Sequence, residues 1–346
     1  METPSTTPPG RFVGVLPMRA PICDAKWSPC GRFVALGHND APLILCAATG
    51  LVLRTLRFAE PQPEFHLRNI AYTRDGECLL AATQTDVTAW HTGTGAPVLH
   101  QTVETRDGGF EFGVSLAGGS RMVASNMHLW QMEGARLVAV RSHAEGSRSC
   151  HFSPDGRWLA AGSRSHGTTV TDVETGVIVN RLPSQAQNLV WAPDGGRLLT
   201  LAHGDARIWD LGGGTVAATL VNRTFDLGPL GPRDKDEGDD VSPRVTCDWS
   251  RDGKWLATGG GSIGPVVTWT PDGRAVSCEY YDDDDEDIMA DPTDETLLEA
   301  EDIGLDDRMF SYNLAISPDS SAMVVVYEDA WYEKNVIRIL GNIAFL

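Results

Sequence analysis

The sequence has 346 residues, 42% of them hydrophobic, and a formal net charge of −19. It contains no apolar run near the roughly eighteen residues that a membrane helix needs, so it predicts a globular protein with no membrane partner. Residues 279–307 hold fifteen Asp or Glu and no Lys or Arg, which leaves a net charge of −4 for the rest of the chain. This distribution argues against a nucleic-acid partner, because phosphate binding requires a positive surface.

The N-terminal segment and the cysteines indicate the compartment. Residues 1–10, METPSTTPPG, have neither the basic nor the apolar part of a signal peptide, and their Pro and Thr content predicts a disordered arm. The seven cysteines are widely spread and form no CxxC pair. We therefore expect a cytoplasmic protein with reduced, mostly buried thiols and no cofactor.

A repeat with a period of about forty residues runs along the chain. Each copy has an apolar run, a turn of the Ser-Pro-Asp-Gly type and a second apolar run, which predicts a β-hairpin because Pro fixes φ and Gly accepts positive φ. In chain order the copies are KWSPCGRFVALGH (26–38), AYTRDGECLLAAT (71–83), GVSLAGGSRMVAS (113–125), HFSPDGRWLAAGS (151–163), VWAPDGGRLLTLA (190–202), DWSRDGKWLATGG (248–260) and AISPDSSAMVVVY (315–327).

Two further apolar runs follow most of these hairpins. The third run is often centred on Trp, as in TAWH (88–91), HLWQ (128–131), RIWD (207–210) and VTWT (267–270). A fourth run follows a Gly-containing turn, as in VETGVIVNRL (173–182). The pattern predicts four short antiparallel strands per repeat, with these tryptophans in the core.

The fifth repeat contains LAHGDARIWDL (201–211), with His203, the turn residue Asp205 and the pair Trp209-Asp210. With these features the chain resembles the WD-repeat β-propeller family over roughly residues 11–340. The resemblance implies an all-β fold, a seven-bladed β-propeller of four-stranded antiparallel blades. Only this repeat keeps Trp-Asp, so the repeats are degenerate. Either residues 11–16 or residues 343–346 could supply the outer strand of blade seven, and family usage favours the N-terminal strand.

Two insertions interrupt the regular spacing, at residues 221–243 between blades five and six and at residues 282–310 between blades six and seven. In propellers similar to this chain, such connections open on the same face as the loops between second and third strands. In blade seven that loop reads EDAWYEKN (328–335). We therefore expect all three segments to lie on one rim over blades five to seven.

The acidic run YDDDDEDIMADPTDE (281–295) has three interpretations: a metal site, a docking surface and a solvated loop. The DxDxDG spacing of a calcium loop does not occur, which leaves at most weak divalent cation binding and no predicted metal site. Aromatic side chains beside carboxylates suit a partner with a basic segment. The candidate partner-binding residues are Asp236, Glu237, Asp282, Asp283, Asp284, Asp285, Glu286, Asp287, Glu328, Asp329, Trp331 and Tyr332.

The sequence gives little support for catalysis, because no nucleophile motif such as GxSxG is present. We expect a non-enzymatic scaffold for a protein or peptide, acting as a monomeric propeller within a complex. One alternative is an enzyme or small-ligand binder at the central channel, where Lys26, His151 and Asp248 share a first-strand repeat position. Another is a structural subunit whose acidic loop only maintains solubility. Cys150 and Cys247 share a repeat position predicted to lie in the core.

Overall fold

The structure is a computed structural model of the 346-residue chain. It describes residues 12–16, 22–38, 41–58, 67, 69–83, 86–102, 115–116, 122–124, 128–133, 136–142, 147–163, 167–202, 205–220, 245–260, 266–279, 289–290, 309–329 and 334–341. In this described part of the chain there is no helix of the length and apolarity that crossing a membrane requires.

Seven antiparallel sheets form the seven blades that the repeats predict. The chain begins with β1 (Phe12–Leu16), and blade one follows with β2 (Ile22–Trp27), β3 (Phe33–His38), β4 (Leu43–Cys46) and β5 (Val52–Thr55). Blade two contains β6 (Asn69–Tyr72), β7 (Cys78–Ala82), β8 (Asp86–His91) and β9 (Pro97–Thr102). Blade three contains β10 (Ser115–Leu116), β11 (Met122–Ala124), β12 (His128–Glu133) and β13 (Arg136–Ser142).

The remaining four blades repeat this arrangement. Blade four contains β14 (Ser147–Phe152), β15 (Trp158–Ser163), β16 (Gly167–Asp172) and β17 (Ile178–Leu182). Blade five contains β18 (Asn188–Trp191), β19 (Arg197–Ala202), β20 (Asp205–Asp210) and β21 (Thr215–Thr219). Blade six contains β22 (Val245–Trp249), β23 (Leu256–Gly260), β24 (Val266–Trp269), β25 (Ala275–Glu279) and β26 (Met289–Ala290), and blade seven contains β27 (Met309–Ile316), β28 (Ala322–Asp329) and β29 (Lys334–Gly341).

The hairpin turns between first and second strands have the predicted geometry. In blade four, Gly156 adopts a φ of 77°. The Ser153 hydroxyl donates to Asp155 at 2.6 Å and accepts from the Trp158 amide at 2.9 Å. Asp155 in turn accepts from the Arg157 amide at 3.0 Å. The Ser and Asp side chains therefore satisfy the backbone groups that the turn leaves without strand partners.

The core lies between neighbouring blades, where the faces of two sheets pack together. One cluster joins Leu199 and Ile208 of blade five to Val267 and Trp269 of blade six, and a similar cluster joins blades one and seven. The third-strand tryptophans are at most 8% exposed, which confirms their prediction as core residues: Trp90, Trp130, Trp209 and Trp269.

The N-terminal strand closes the ring. Strand β1 pairs antiparallel with β29, from Phe12 opposite Ile339 to Leu16 opposite Asn335, and so becomes the outer strand of blade seven. This register confirms the expected N-terminal closure. The alternative closing segment, residues 343–346, lies outside the described residues, as do the arm at residues 1–10 and the insertion at residues 221–243.

Blade six carries one strand more than its repeat predicts. Strand β26 pairs with β25, with Ala290 opposite Cys278 and Met289 opposite Glu279. The insertion predicted at residues 282–310 therefore contains a short strand, and its last two residues already belong to β27. An outermost strand has unpaired backbone groups along its edge, so a following segment with apolar residues can pair with it.

Candidate functional site

The direction of the strands defines two faces of the propeller. Consecutive strands run antiparallel in each blade, so the connections between blades and the loops between second and third strands share one face, here called the connection face. The turns between first and second strands and between third and fourth strands share the opposite face, here called the turn face. Strands β21, β25 and β28 each end at the connection face, in blades five to seven.

Most of the candidate partner-binding residues lie outside the described residues: Asp236, Glu237, Asp282, Asp283, Asp284, Asp285, Glu286, Asp287, Trp331 and Tyr332. The two that the structure describes, Glu328 and Asp329, are at the end of β28. They stand opposite Asn335 and Lys334 of β29. The backbone of this hairpin therefore extends to the connection face immediately before Trp331 and Tyr332.

The acidic run has a defined attachment at both ends. Glu279 and Met289 are paired across β25 and β26, so the chain on either side of residues 280–288 is held about 5 Å apart, as neighbouring strands are. Strand β25 lies toward the outside of blade six. Glu279 and Met289, on either side of the acidic run, therefore lie at the outer edge of blade six, away from the central axis.

Carboxylates on the turn face are used within the fold. Hydrogen bonds from the Ser153 hydroxyl and the Arg157 amide hold the pKa of Asp155 below its usual range. In blade seven, the Ser317 hydroxyl donates to Asp319 at 2.6 Å, and this bond lowers the pKa of Asp319 in the same way. These carboxylates are committed to turn geometry, which distinguishes them from a docking surface.

The three channel candidates are on innermost strands, and Lys26 acts electrostatically on both of the others. The Lys26 ammonium is 3.0 Å from the carboxylate of Asp24. Burial lowers the pKa of Lys26, but the carboxylates of Asp24 and Asp248 outweigh it and hold the pKa above its usual value. Burial, with the nearby Lys26 charge, lowers the pKa of His151 to about 3. Lys26 is therefore charged and His151 neutral at pH 7.

Asp248 links two blades. One of its carboxylate oxygens accepts from the Trp249 amide at 2.8 Å, and the other accepts from the Ile316 amide of blade seven at 2.7 Å. Burial raises the pKa of this carboxyl. Because both oxygens already have backbone donors, the geometry favours a structural role for Asp248 over a catalytic one.

A neighbouring repeat position contains residues that the sequence interpretation missed. Four residues before the turn Ser or its equivalent, every copy has a polar side chain: Asp24, Asn69, Glu111, Ser149, Asn188, Thr246 and Asn313. Asp24 accepts from the Ile70 amide of blade two at 3.0 Å. The other bonds to the next blade run from Asn188 to the Val245 carbonyl (3.2 Å), from the Leu314 amide to Thr246 (3.4 Å) and from Asn313 to the Ile22 carbonyl (3.3 Å).

The side chains with such a bond are called the brace residues: Asp24, Asn188, Thr246, Asp248 and Asn313. They satisfy backbone groups of the adjacent innermost strand, which a propeller leaves without a sheet partner on the channel side. The sequence signal was the presence of a polar residue in every copy at one repeat position.

Among the described residues, no group of three or more His, Cys, Asp or Glu could hold a metal ion.

Comparison with known proteins agrees with this architecture. The family model described as WD domain, G-beta repeat matches residues 135–172, from the outer strand of blade three through the third strand of blade four. Residues 135–172 are therefore similar to a WD repeat, and they lie within a seven-bladed β-propeller. No curated protein matches it.

Two solved structures share this propeller fold at low sequence identity. A chain in "Crystal Structure of Mitotic Checkpoint Complex" has a TM-score of 0.64 and 16% identity, with 99% of this chain and 96% of that chain covered. The β-propeller domain of Cps50 (Swd1) from Myceliophteria thermophila has a TM-score of 0.66 and 14% identity, with 94% and 99% covered. Both show the shared architecture.

The third-strand tryptophans of blades five and six take part in core packing. The indole of Trp209 donates to the Thr200 hydroxyl at 2.9 Å, and Trp269 bonds Thr258 in the same way at 2.8 Å. Cys150 and Cys247 are buried in the core as predicted, and burial raises the pKa of both thiols. The expectation of mostly buried thiols is only half right for the six described free cysteines, because Cys30, Cys46 and Cys78 are at least partly exposed.

Proposed function

We propose that this propeller is a non-enzymatic scaffold that binds a protein or peptide with a basic segment on the connection face of blades five to seven. One of the two solved structures with the same fold is a chain of a protein complex, which supports a role in assembly. The fold itself hosts many functions, so the proposal depends on the surface of this chain.

The observation that carries the proposal is the attachment of the acidic run. Fifteen acidic and no basic residues occur in residues 279–307, and Glu279 and Met289, on either side of residues 280–288, are paired on the outer strands of blade six. Concentrated charge of one sign accelerates association with an oppositely charged partner, and this acceleration decreases as the salt concentration rises. The hairpin that leads to Trp331 and Tyr332 leaves from the same face.

The test is a variant that keeps the length of the chain. Asp282–Asp287 are replaced by Asn, with Gln at Glu286, and partners are recovered by affinity capture at low and high salt. We expect the variant to recover at least about tenfold less of a partner than the wild-type protein does. The amount that the wild-type protein recovers should itself decrease at high salt.

The matched control neutralises exposed acids elsewhere. Glu77→Gln with Glu174→Gln alters the turn face, where both side chains are exposed, and should leave capture unchanged. Equal recovery by the wild-type protein and the Asp282–Asp287 variant, insensitive to salt, would contradict docking at the acidic run. That result would favour the solvating loop of a structural subunit.

A further inference from the structure

The outer edge of blade one is apolar and exposed. Strand β5 is the last strand of its sheet, and Leu51, Val52 and Leu53 are 65%, 43% and 50% exposed. An exposed apolar edge strand is a ready template for pairing with another strand, and proteins usually protect such edges. In blade six, the chain does so with its own strand, β26.

In the part of the chain that the structure describes, some backbone groups of β5 have no sheet partner on the outside. The Leu56 amide donates to the Pro42 carbonyl at 2.8 Å, and the Leu51 carbonyl accepts from the Cys46 amide at 2.9 Å, both toward β4. A bulge at Leu53 shifts the register between these two bonds. Because backbone groups alternate in direction on either side of the bulge, those of Val52 and Thr55 point away from the sheet. The same alternation directs the Arg57 carbonyl outward, where it accepts from the Trp90 indole of blade two at 3.1 Å. The free edge therefore ends at Arg57.

The charge on this edge has one sign. Residues 41–58 contain Arg54 and Arg57 and no Asp or Glu, in a chain with a net charge of −19. Both arginines are exposed, and Arg54 makes one long hydrogen bond, 3.4 Å, to the Thr94 carbonyl. The edge of blade four is also apolar, but the turn before it carries Asp172 and Glu174.

We propose that the outer edge of blade one binds an extended segment of a partner protein with alternating apolar and acidic residues. The segment pairs with the outward backbone groups of Val52 and Thr55, packs its apolar side chains against the exposed leucines, and places its carboxylates beside Arg54 and Arg57. Main-chain pairing supplies affinity in this binding mode, and the side chains supply specificity. Blade six shows the same arrangement in cis, since β26 adds to an outer strand and is flanked by acidic residues.

The probe is a fluorescently labelled, acetylated ten-residue peptide with alternating valine and glutamate, compared with its valine and lysine counterpart. Fluorescence anisotropy with the full-length protein should show saturable binding of the glutamate peptide. Raising the salt concentration should weaken this binding, because the ion pairs are exposed. The lysine peptide should bind at least about tenfold more weakly.

Two variants test the charge and the backbone separately. Arg54→Glu with Arg57→Glu should weaken binding of the glutamate peptide at least about tenfold, whereas Arg181→Glu, an exposed arginine on the outer strand of blade four, should not. Thr55→Pro removes one outward N–H and leaves every N–H that donates to β4 in place. Proline is tolerated at such edge positions. It should abolish binding while the circular dichroism spectrum stays that of the wild-type protein.

Three results would overturn the proposal. The first is equal binding of both peptides or none of either. The second is a loss of glutamate-peptide binding with Arg181→Glu that is as large as the loss with Arg54→Glu and Arg57→Glu. The third is a wild-type dimer by size-exclusion chromatography that Arg54→Glu dissociates, because a second copy would then occupy the edge. These outcomes are independent of the acidic run, so the proposed function and the blade-one site can fail separately.

Discussion

The innermost strands and the outermost strands of this propeller use polar residues in opposite ways. Around the axis, Asp24, Asn188, Thr246, Asp248 and Asn313 bond to the backbone of the next blade. On the outer wall, apolar residues such as Leu51, Val177 and Val179 are 44% to 65% exposed. The polar groups near the channel bond neighbouring blades to each other, whereas both proposed binding surfaces are at the periphery.

The largest expected effect comes from breaking a brace. Asp248→Ala leaves the Ile316 amide without its acceptor and should lower the free energy of unfolding by about 3 kcal/mol, the cost of losing hydrogen bonds to a charged, largely buried group. Asp248→Asn keeps one acceptor oxygen and should cost less, about 1 kcal/mol. Chemical denaturation of both variants measures the difference. Equal, small losses would mean that the innermost strands do not depend on this bond.

The next effect is a pH dependence of the free energy of unfolding, caused by His151 on an innermost strand. His151 has a pKa of about 3 in the folded protein, against 6.5 for an ordinary histidine, so the unfolded state binds more protons below pH 6.5. Stability should therefore decrease as pH falls, by about 2 kcal/mol between pH 7 and pH 5. Urea unfolding at pH 7, 6 and 5 measures it, in a range above the titration of the turn carboxylates.

The control for this pH dependence is His151→Asn, which carries no titrating group. Its stability should change much less than that of the wild-type protein over the same pH range. Parallel decreases in the two proteins would assign the effect to other groups.

A smaller effect tests how blade three is held. There the described inter-blade bonds come from outer strands: the Gln101 side chain accepts from the Leu137 amide at 2.6 Å and donates to its carbonyl at 3.0 Å. Gln101→Ala should cost about 1 kcal/mol, because water can partly replace partners on the outer wall. A loss as large as that of Asp248→Ala would remove the distinction between inner and outer junctions.

The smallest effect is expected for exposed apolar residues. Val179→Lys on β17 should change the free energy of unfolding by no more than about 0.5 kcal/mol, since the side chain is 44% exposed and surface substitutions are usually neutral. Thermal unfolding against the wild-type protein provides the measurement. A large loss would show that the outer wall contributes to the core.

The architecture was accessible from sequence because each repeat encodes its own hairpin. Ser153, Asp155 and Gly156 specify a turn by local chemistry alone, and the third-strand tryptophans mark the core by periodicity. The brace residues were harder to recognise, because their partners are backbone groups of another blade. From the sequence alone, a polar residue near the axis fits both a ligand site and a hydrogen bond to the next blade. Only the position of the neighbouring strand distinguishes the two.

The extra strand of blade six had no comparable signal. Met289 and Ala290 pair with β25 through backbone groups, and two residues cannot establish a periodicity.

For the channel candidates, a sequence signal was present but did not decide their role. Lys26, His151 and Asp248 do share a repeat position, and Lys26 does influence the other two, but a shared position does not reveal that Asp248 is already saturated by amides.

The closing strand has a mechanical consequence. Five residue pairs between β1 and β29 complete blade seven, and a core cluster and the Asn313 bond join that blade to blade one. A force that pulls the two ends of the chain apart loads the β1–β29 pairs before the other strand pairs of the ring. A chain shortened to begin after Leu16 would leave blade seven with three strands and an unpaired outer edge at Lys334–Gly341. The first strand to be synthesised pairs with the last one, so blade seven is complete only after all the other blades have been made.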